Sequence, residues 1–123
     1  MTRPIEATHE NCSAVSPVLA RVGEKWSMLI VMLLGSGPVR FNELKRRIDG
    51  ISQRMLSLTL KGLERDGLVS RTVTPSVPPR VDYDLTPLGH SLREHVAALG
   101  IWALQRRDDI AEARRRYDDA QNR

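Results

Sequence analysis

An α+β fold, mainly helical, with a small antiparallel sheet and a long C-terminal helix, is predicted by three stretches of the sequence. Residues 51–67 form an amphipathic helix. At about 100° per residue its outer arc of about 120° carries Gln53, Arg54, Ser57, Lys61, Glu64 and Arg65, with Met55, Leu56, Leu60 and Leu63 opposite. Residues 68–74 are rich in β-branched side chains, and residues 81–85 alternate Val81, Asp82, Tyr83, Asp84, Leu85, so the pair reads as two antiparallel strands. From Pro87 onward, Leu88, Leu92, Val96, Leu99 and Ala103 recur at helical spacing.

Taken in order, residues 1–11 are polar without period and are expected to form a flexible arm. Ser16 followed by Pro17 reads as a cap and a first helical position, predicting a short helix over 17–22 that Gly23 ends. Residues 24–34 continue as a second helix with Trp26, Leu29, Ile30, Leu33 and Leu34 at core spacing, and Gly35-Ser36-Gly37-Pro38 breaks it. Val39 and Arg40 suit a short edge strand. Residues 41–48 suit a two-turn helix with Phe41, Leu44 and Ile48 inward and Lys45, Arg46 and Arg47 outward. Asp49-Gly50 turns the chain, Ser52 caps the next helix and Gly67 is placed as its left-handed terminator. A short helix, a tight turn and a longer helix make a helix-turn-helix.

The two strands that follow form a wing, with Val81, Tyr83 and Leu85 inward and a loop stiffened by Pro75, Pro78 and Pro79. With the edge strand, the whole is a winged helix-turn-helix with a two-to-three-stranded wing sheet. Thr86-Pro87 repeats the cap-plus-proline start, and the last helix is expected to run to about residue 116. Gly100 inside it suits close packing or a kink. Residues 12–105 thus form one domain, and residues 106–123 a charged extension of the last helix that frays. The last helix outruns a small core, and its surplus apolar surface, Trp102 above all, predicts a homodimer.

A chain of 123 residues, 41% hydrophobic, builds one core of ordinary size and leaves no room for a second catalytic domain. The net charge of +4 is unevenly placed. Residues 40–80 hold nine basic against four acidic side chains, leaving −1 for everything else. That concentration points to an anionic partner, double-stranded DNA. The single cysteine, Cys12, excludes an intrachain disulfide and suits a reducing cytoplasm. The longest apolar run, residues 28–34, is too short for a membrane span, and the N-terminal stretch has no signal-peptide pattern. No glycine-rich phosphate loop, nucleophile with its base, or enclosed carboxylate pair is present, so neither an enzyme nor a cofactor is expected. His9, His90 and His95 make no metal site, since His90 and His95 lie about 140° apart on a helix.

Side chains on the outer face of the 51–67 helix suit the edges of base pairs. Arg54 matches guanine O6 and N7, and Gln53 matches adenine N6 and N7. Ser57 serves base or phosphate, Lys61 phosphate, and Ser52 caps the helix while its free amides can meet a phosphate. Lys45 and Arg46 on the preceding helix, and Arg80 and Arg71 on the wing, suit phosphate or the minor groove. A solvated helix face is the plain alternative, which the wing and the charge asymmetry disfavour. Cys12 is either a small hydrophobe or a reactive thiol near the start of the first helix, open to an oxidant or electrophile. A winged helix that binds proteins and not duplex DNA is the alternative from another class.

Five motifs occur in order: Gly23-Glu24-Lys25-Trp26-Ser27; Gly37-Pro38-Val39-Arg40-Phe41-Asn42-Glu43-Leu44; Gly50-Ile51-Ser52-Gln53-Arg54-Met55-Leu56; Leu63-Glu64-Arg65-Asp66-Gly67-Leu68-Val69; and Pro78-Pro79-Arg80-Val81-Asp82-Tyr83-Asp84-Leu85-Thr86. Together, over about residues 12–104, they resemble the HxlR-type winged helix-turn-helix transcriptional regulators of bacteria, which are distantly similar to the MarR group. The resemblance implies a DNA-binding regulator, in the repressor mode, with two recognition helices in successive major grooves of a pseudo-palindromic operator. It implies a dimer built from the first and last helices, which places Val18, Leu19, Val22, Trp26, Val96, Leu99 and Trp102 at the interface. It also implies a sensing role for a cysteine near the N-terminus, although Cys12-Ser13 stands where many members have Cys-Pro. A small-molecule or oxidant effector fits that expectation.

Overall fold

The computed structural model describes residues 8–122, and most of the predicted N-terminal arm lies outside them. In place of a short helix over 17–22, the chain forms a helix of 15 residues, α1 (His9–Gly23). It starts at Thr8, whose hydroxyl accepts from the Asn11 amide at 3.1 Å, so the cap lies two turns earlier than Ser16-Pro17 suggests. Pro17 sits inside the helix, where it removes one backbone donor, and the Ser16 hydroxyl donates back to the Cys12 carbonyl. Not one residue of α1 is buried.

After Glu24 the chain enters α2 (Lys25–Leu33), which a 3-10 turn, Leu34–Ser36, ends before Gly37 at φ 132°. Ile30, Val31 and Leu34 are fully buried and form the centre of the core, whereas Leu29, expected there, is 40% exposed. The helix-turn-helix is α3 (Phe41–Arg47) followed by α4 (Gln53–Arg65), joined through Gly50 at φ 84°. Leu44, Leu56, Leu60 and Leu63 are completely buried against α2, each contributing about 1.5–3 kcal/mol. The turn residues Ile48 and Ile51 are also buried, so the reorientation between the two helices is itself held by the core.

Three strands, β1 (Val39–Arg40), β2 (Val69–Thr74) and β3 (Arg80–Leu85), form an antiparallel sheet in the order β1-β3-β2. Val39 and Arg71 both stand opposite Tyr83, while Arg40 and Thr72 stand opposite Asp82. Tyr83 and Leu85 are buried, Val81 half-buried, and the Tyr83 ring leans on Phe41 at 6.4 Å between centroids.

The single long last helix is in fact two, α5 (Pro87–Gln105) and α6 (Arg107–Gln121), with the break at Arg106 and not at Gly100. Asp108 and Asp109 favour a new N-terminus immediately after Arg106, and Arg106 reaches Asp109 at 3.6 Å. Within the charged extension, α6 is helical, and Glu112 pairs with both Arg115 and Arg116.

Two local devices fix α4. Its end closes with Gly67 at φ 75°, the Gly67 amide donating to the Glu64 carbonyl and the Leu68 amide to the Leu63 carbonyl, both at 3.0 Å. The start of α5 then seats on that turn. The Thr86 amide donates to the Leu68 carbonyl at 3.1 Å, its hydroxyl donates to the Gly67 carbonyl, and the same oxygen accepts from the Gly89 amide at 3.0 Å. The second device is Arg21 of α1, whose Nε donates to Asp66 Oδ2 at 2.8 Å while its guanidinium lies over Gly62. Hydrogen bonding to Asp66 holds the Arg21 pKa above its ordinary value.

A Cβ at Gly89 would stand 2.1 Å from the Leu68 carbonyl oxygen, a backbone atom that cannot swing aside. Gly89→Ala is therefore expected to destabilise the protein by about 1–3 kcal/mol despite alanine's better helix propensity. Thermal unfolding of the variant, followed by circular dichroism, would show a melting point lower by about 5–15 °C. An unchanged melting point would refute the close seat.

Candidate nucleic-acid interface

The exposed side of α4 is built by the same spacing that buries its other side. Leu56, Thr59, Leu60 and Leu63 pack inward, and Thr59, which the sequence reading left unassigned, satisfies its buried hydroxyl by donating to the Met55 carbonyl at 2.7 Å. Met55, expected inward, is 41% exposed on the flank. Arg54, Leu58, Lys61 and Arg65 follow one another three or four residues apart, which puts them along one line opposite the core. Gln53 and Glu64 are exposed to one side of that line, and Ser57 is half-buried. Ser52 caps the helix, accepting from the Met55 amide at 3.0 Å. Among the described residues Arg54, Lys61 and Arg65 form no ion pair.

The cations of α3 are not equivalent. Glu43 draws Arg46 and, at 2.9 Å, Arg47 to its two carboxylate oxygens, while Lys45 carries no such partner among the described residues. Hydrogen bonding to Arg46, then to Arg47, holds the Glu43 carboxyl below the usual carboxylate range, and the same contact raises Arg46. Because the folded value is lowered, the contribution of these pairs is complete above the unfolded glutamate value of about 4.3 and is lost as pH falls through the folded one. At neutral pH both arginines are therefore engaged.

On the wing, successive residues alternate between faces, so Arg71 shares a face with Tyr83, and Arg80 shares the other with Asp82. Arg80 Nε donates to Asp82 Oδ2 at 2.9 Å. An open cleft of about 800 Å³ lies between the start of α3 and the wing, with Arg40, Arg71 and Arg80 on its walls. Thus α4, Lys45 and the wing present cations from three successive elements of the chain.

The residues assigned to a subunit contact separate into two groups. Val18, Leu19, Leu99 and Trp102 are 56%, 62%, 49% and 53% exposed and remain free to meet another surface. Val96 is 3% exposed, covered by its own chain, and has no surface to offer; Val22 and Trp26 are half-buried, Trp26 with Lys25 Nζ 4.6 Å from its ring centre. Ile101 and Leu104, also exposed, extend the free surface along α5. Cys12 is exposed in the first turns of α1, so its own chain does not use it as a small core hydrophobe. Among the described residues no three His, Cys, Asp or Glu side chains cluster as metal ligands, and no helix is long and apolar enough to cross a membrane.

The family model for HxlR-like helix-turn-helix proteins matches residues 21–110. The HTH-type transcriptional regulator YtfH of Escherichia coli (strain K12) is 47% identical over 85 residues, covering 69% of this chain and 68% of that protein. In three dimensions the chain is similar to the redox regulator HypR in its reduced form, with TM-score 0.76, 38% identity and coverage of 80% of this chain and 98% of that one. It is also similar to diamide-treated YodB from Bacillus subtilis, with TM-score 0.67, 37% identity and coverage of 76% and 93%. The matched span begins at Arg21, which locks α1 to α4, and takes in both helices of the reading motif, the wing and α5. By sequence and by fold, the chain belongs to the HxlR-like helix-turn-helix family.

Proposed function

We propose that this DNA-binding regulator of transcription acts as a cytoplasmic homodimer that represses by occupying a pseudo-palindromic operator. It works by binding and not by catalysis. The observation that carries the reading is the exposed line Arg54, Leu58, Lys61, Arg65 on α4, free of ion pairs and set opposite a fully buried face. In this reading the first turn of α4 enters the major groove, with Arg54 and Gln53 at base edges and Ser57 beside them. Lys61, Lys45 and the amides behind Ser52 take phosphates, Arg46 joins them when it leaves Glu43, and Arg71 and Arg80 carry the wing along the backbone.

Support for the dimer comes from α1 and α6, neither of which buries a single residue in its own chain, together with the exposed Leu99, Ile101 and Trp102 of α5. Helices with exposed apolar side chains and no buried residue need a second surface, and a two-fold copy supplies the same patch in return. Support for an oxidant signal comes from the exposed Cys12 on α1 and from the likeness to the redox regulator HypR and to diamide-treated YodB. Two Cys12 thiols brought together across the dimer would yield a disulfide, passing two electrons and two protons to diamide, which becomes the hydrazine.

Footprinting on genomic DNA tests the reading as a whole, with two protected half-sites about 10 base pairs apart, or a multiple of that, as the expected pattern. Arg54→Ala is expected to narrow the gap between operator and random duplex, a loss of about 1–3 kcal/mol of discrimination. Lys45→Ala should instead weaken binding to all sequences and flatten the log–log salt dependence by about one unit, and Arg80→Ala, whose arginine is already engaged by Asp82, should do the same to a smaller degree. Anisotropy titrations across a salt series separate these behaviours, and equal losses on every duplex for all three variants would refute the division.

Replacing Trp102 by aspartate is expected to give a monomer by light scattering and to cost at least tenfold in operator affinity, because one half-site is then bound at a time. A dimer of undiminished affinity would remove Trp102 from the contact. For the signal, Cys12→Ser should bind the operator as the parent does but no longer respond to diamide or a quinone. A variant that still responds would place the sensor elsewhere.

A further inference from the structure

We infer that Leu58 determines base specificity by packing on the C5-methyl group of a thymine in each half-site, a reading that rests on α4 entering the major groove. Leu58 is 52% exposed, three residues before Lys61 and four after Arg54, in the middle of the line directly opposite the buried face. One exposed leucine on a protein surface is ordinary. Its position here is not, because every other residue on that line is a cation that forms no ion pair among the described residues. When the helix docks, the leucine loses its water along with them. Most of what a major groove presents is polar: guanine and adenine acceptors, cytosine and adenine amino groups, phosphate oxygens. The thymine methyl is the apolar group there, and it is the surface against which a buried leucine is compensated.

The spacing agrees with that assignment. Arg54 and Leu58 are about 6 Å apart along the helix axis, close to two base-pair steps, so a contact from Arg54 to a guanine leaves Leu58 over a neighbouring pair. Met55, 41% exposed on the flank of Leu58, adds apolar surface on the side away from Lys61, which keeps the leucine contact dry from that side. The pair Arg54 and Leu58 would therefore read guanine and thymine at nearby positions, with Lys61 and Arg65 further along the same line.

The test uses full-length protein and duplexes that the protein itself selects from random-sequence DNA. Each thymine of the selected half-site is replaced in turn by deoxyuridine, symmetrically in both halves, which deletes only the methyl group. At one position the parent protein should lose about fourfold per half-site, or roughly fifteenfold in all. Leu58→Ala should bind the unmodified duplex more weakly by a similar factor and be indifferent to deoxyuridine at that position. Leu58→Gln should move the selected base there from thymine toward adenine. Because the side chain is exposed, circular dichroism spectra and melting points of both variants should match the parent. Parent protein that ignores every methyl deletion, a Leu58→Ala variant that keeps the methyl dependence, or selected sites without thymine would each overturn the inference. A parent protein that selects no duplex at all would overturn the DNA-reading of α4 itself.

Discussion

The seat of α5 on the end of α4 is the contact on which the remaining geometry depends. Gly67 turns the chain out of α4 in a left-handed conformation, and Leu68, buried in the same core as Leu63, leads into β2. Both carbonyls of that turn are then taken by Thr86, which also caps α5, and Gly89 lies against the Leu68 backbone too closely to carry a side chain. One patch of backbone thus sets the direction of the reading helix, the root of the wing and the departure of the helix that carries Trp102. A shift of any of these would break the bonds to the Gly67 and Leu68 carbonyls, at a net cost of about 0.5–1.5 kcal/mol for each. The directions of α4 and α5 are therefore joined through a single turn.

On the other side α4 meets α1 through Arg21, which bonds Asp66 at the helix end and lies flat over Gly62. Asp66 is about one-third exposed, so the pair is a surface contact of modest energy and not a buried bond. That inequality matters for regulation. α1 carries Cys12 and buries no residue of its own, and Arg21 near its end is its ion-pair link to α4. In the proposed signalling, a change at Cys12 would reach α4 through the weaker joint at Arg21 and not through the seat at Thr86 and Gly89.

What could be read in the sequence follows from how local its causes are. The helix-turn-helix, the wing and the cap at Ser52 were legible because each rests on side chains adjacent in sequence: a glycine where φ is positive, a strict two-residue alternation, a serine facing an amide three residues on. Met55 receives the wrong face, and Leu58 none, because a helical wheel assigns faces by hydrophobicity, whereas burial of Thr59 rotates the core-facing side away from Met55. At α1, Ser16-Pro17 mimics a helix start, and only Thr8 with Asn11 shows that a start already exists. The break at Arg106 had no glycine or proline to mark it. Val96 looked like interface because its stripe continues to Leu99 and Trp102, and only the packing of α2 on α5 shows where the protomer's own cover stops.

The positive charge around the reading head is smaller in effect than in number. Of the nine cations between residues 40 and 80, Arg46 and Arg47 are engaged by Glu43, and Arg80 by Asp82. An engaged arginine can turn to a phosphate only by exchanging one oxyanion for another, so its net gain on DNA is less than that of a free cation. Sequence-independent attraction, which grows with the number of phosphates neutralised, is held down accordingly. Of the six without an ion pair among the described residues, Arg54, Lys61 and Arg65 share α4, while Arg40, Lys45 and Arg71 lie on β1, α3 and β2. On the proposed reading, half of the free cations would meet DNA from the same helix that meets bases, and it is the ratio of operator to random binding, not the strength of either, that a regulator facing a whole genome requires.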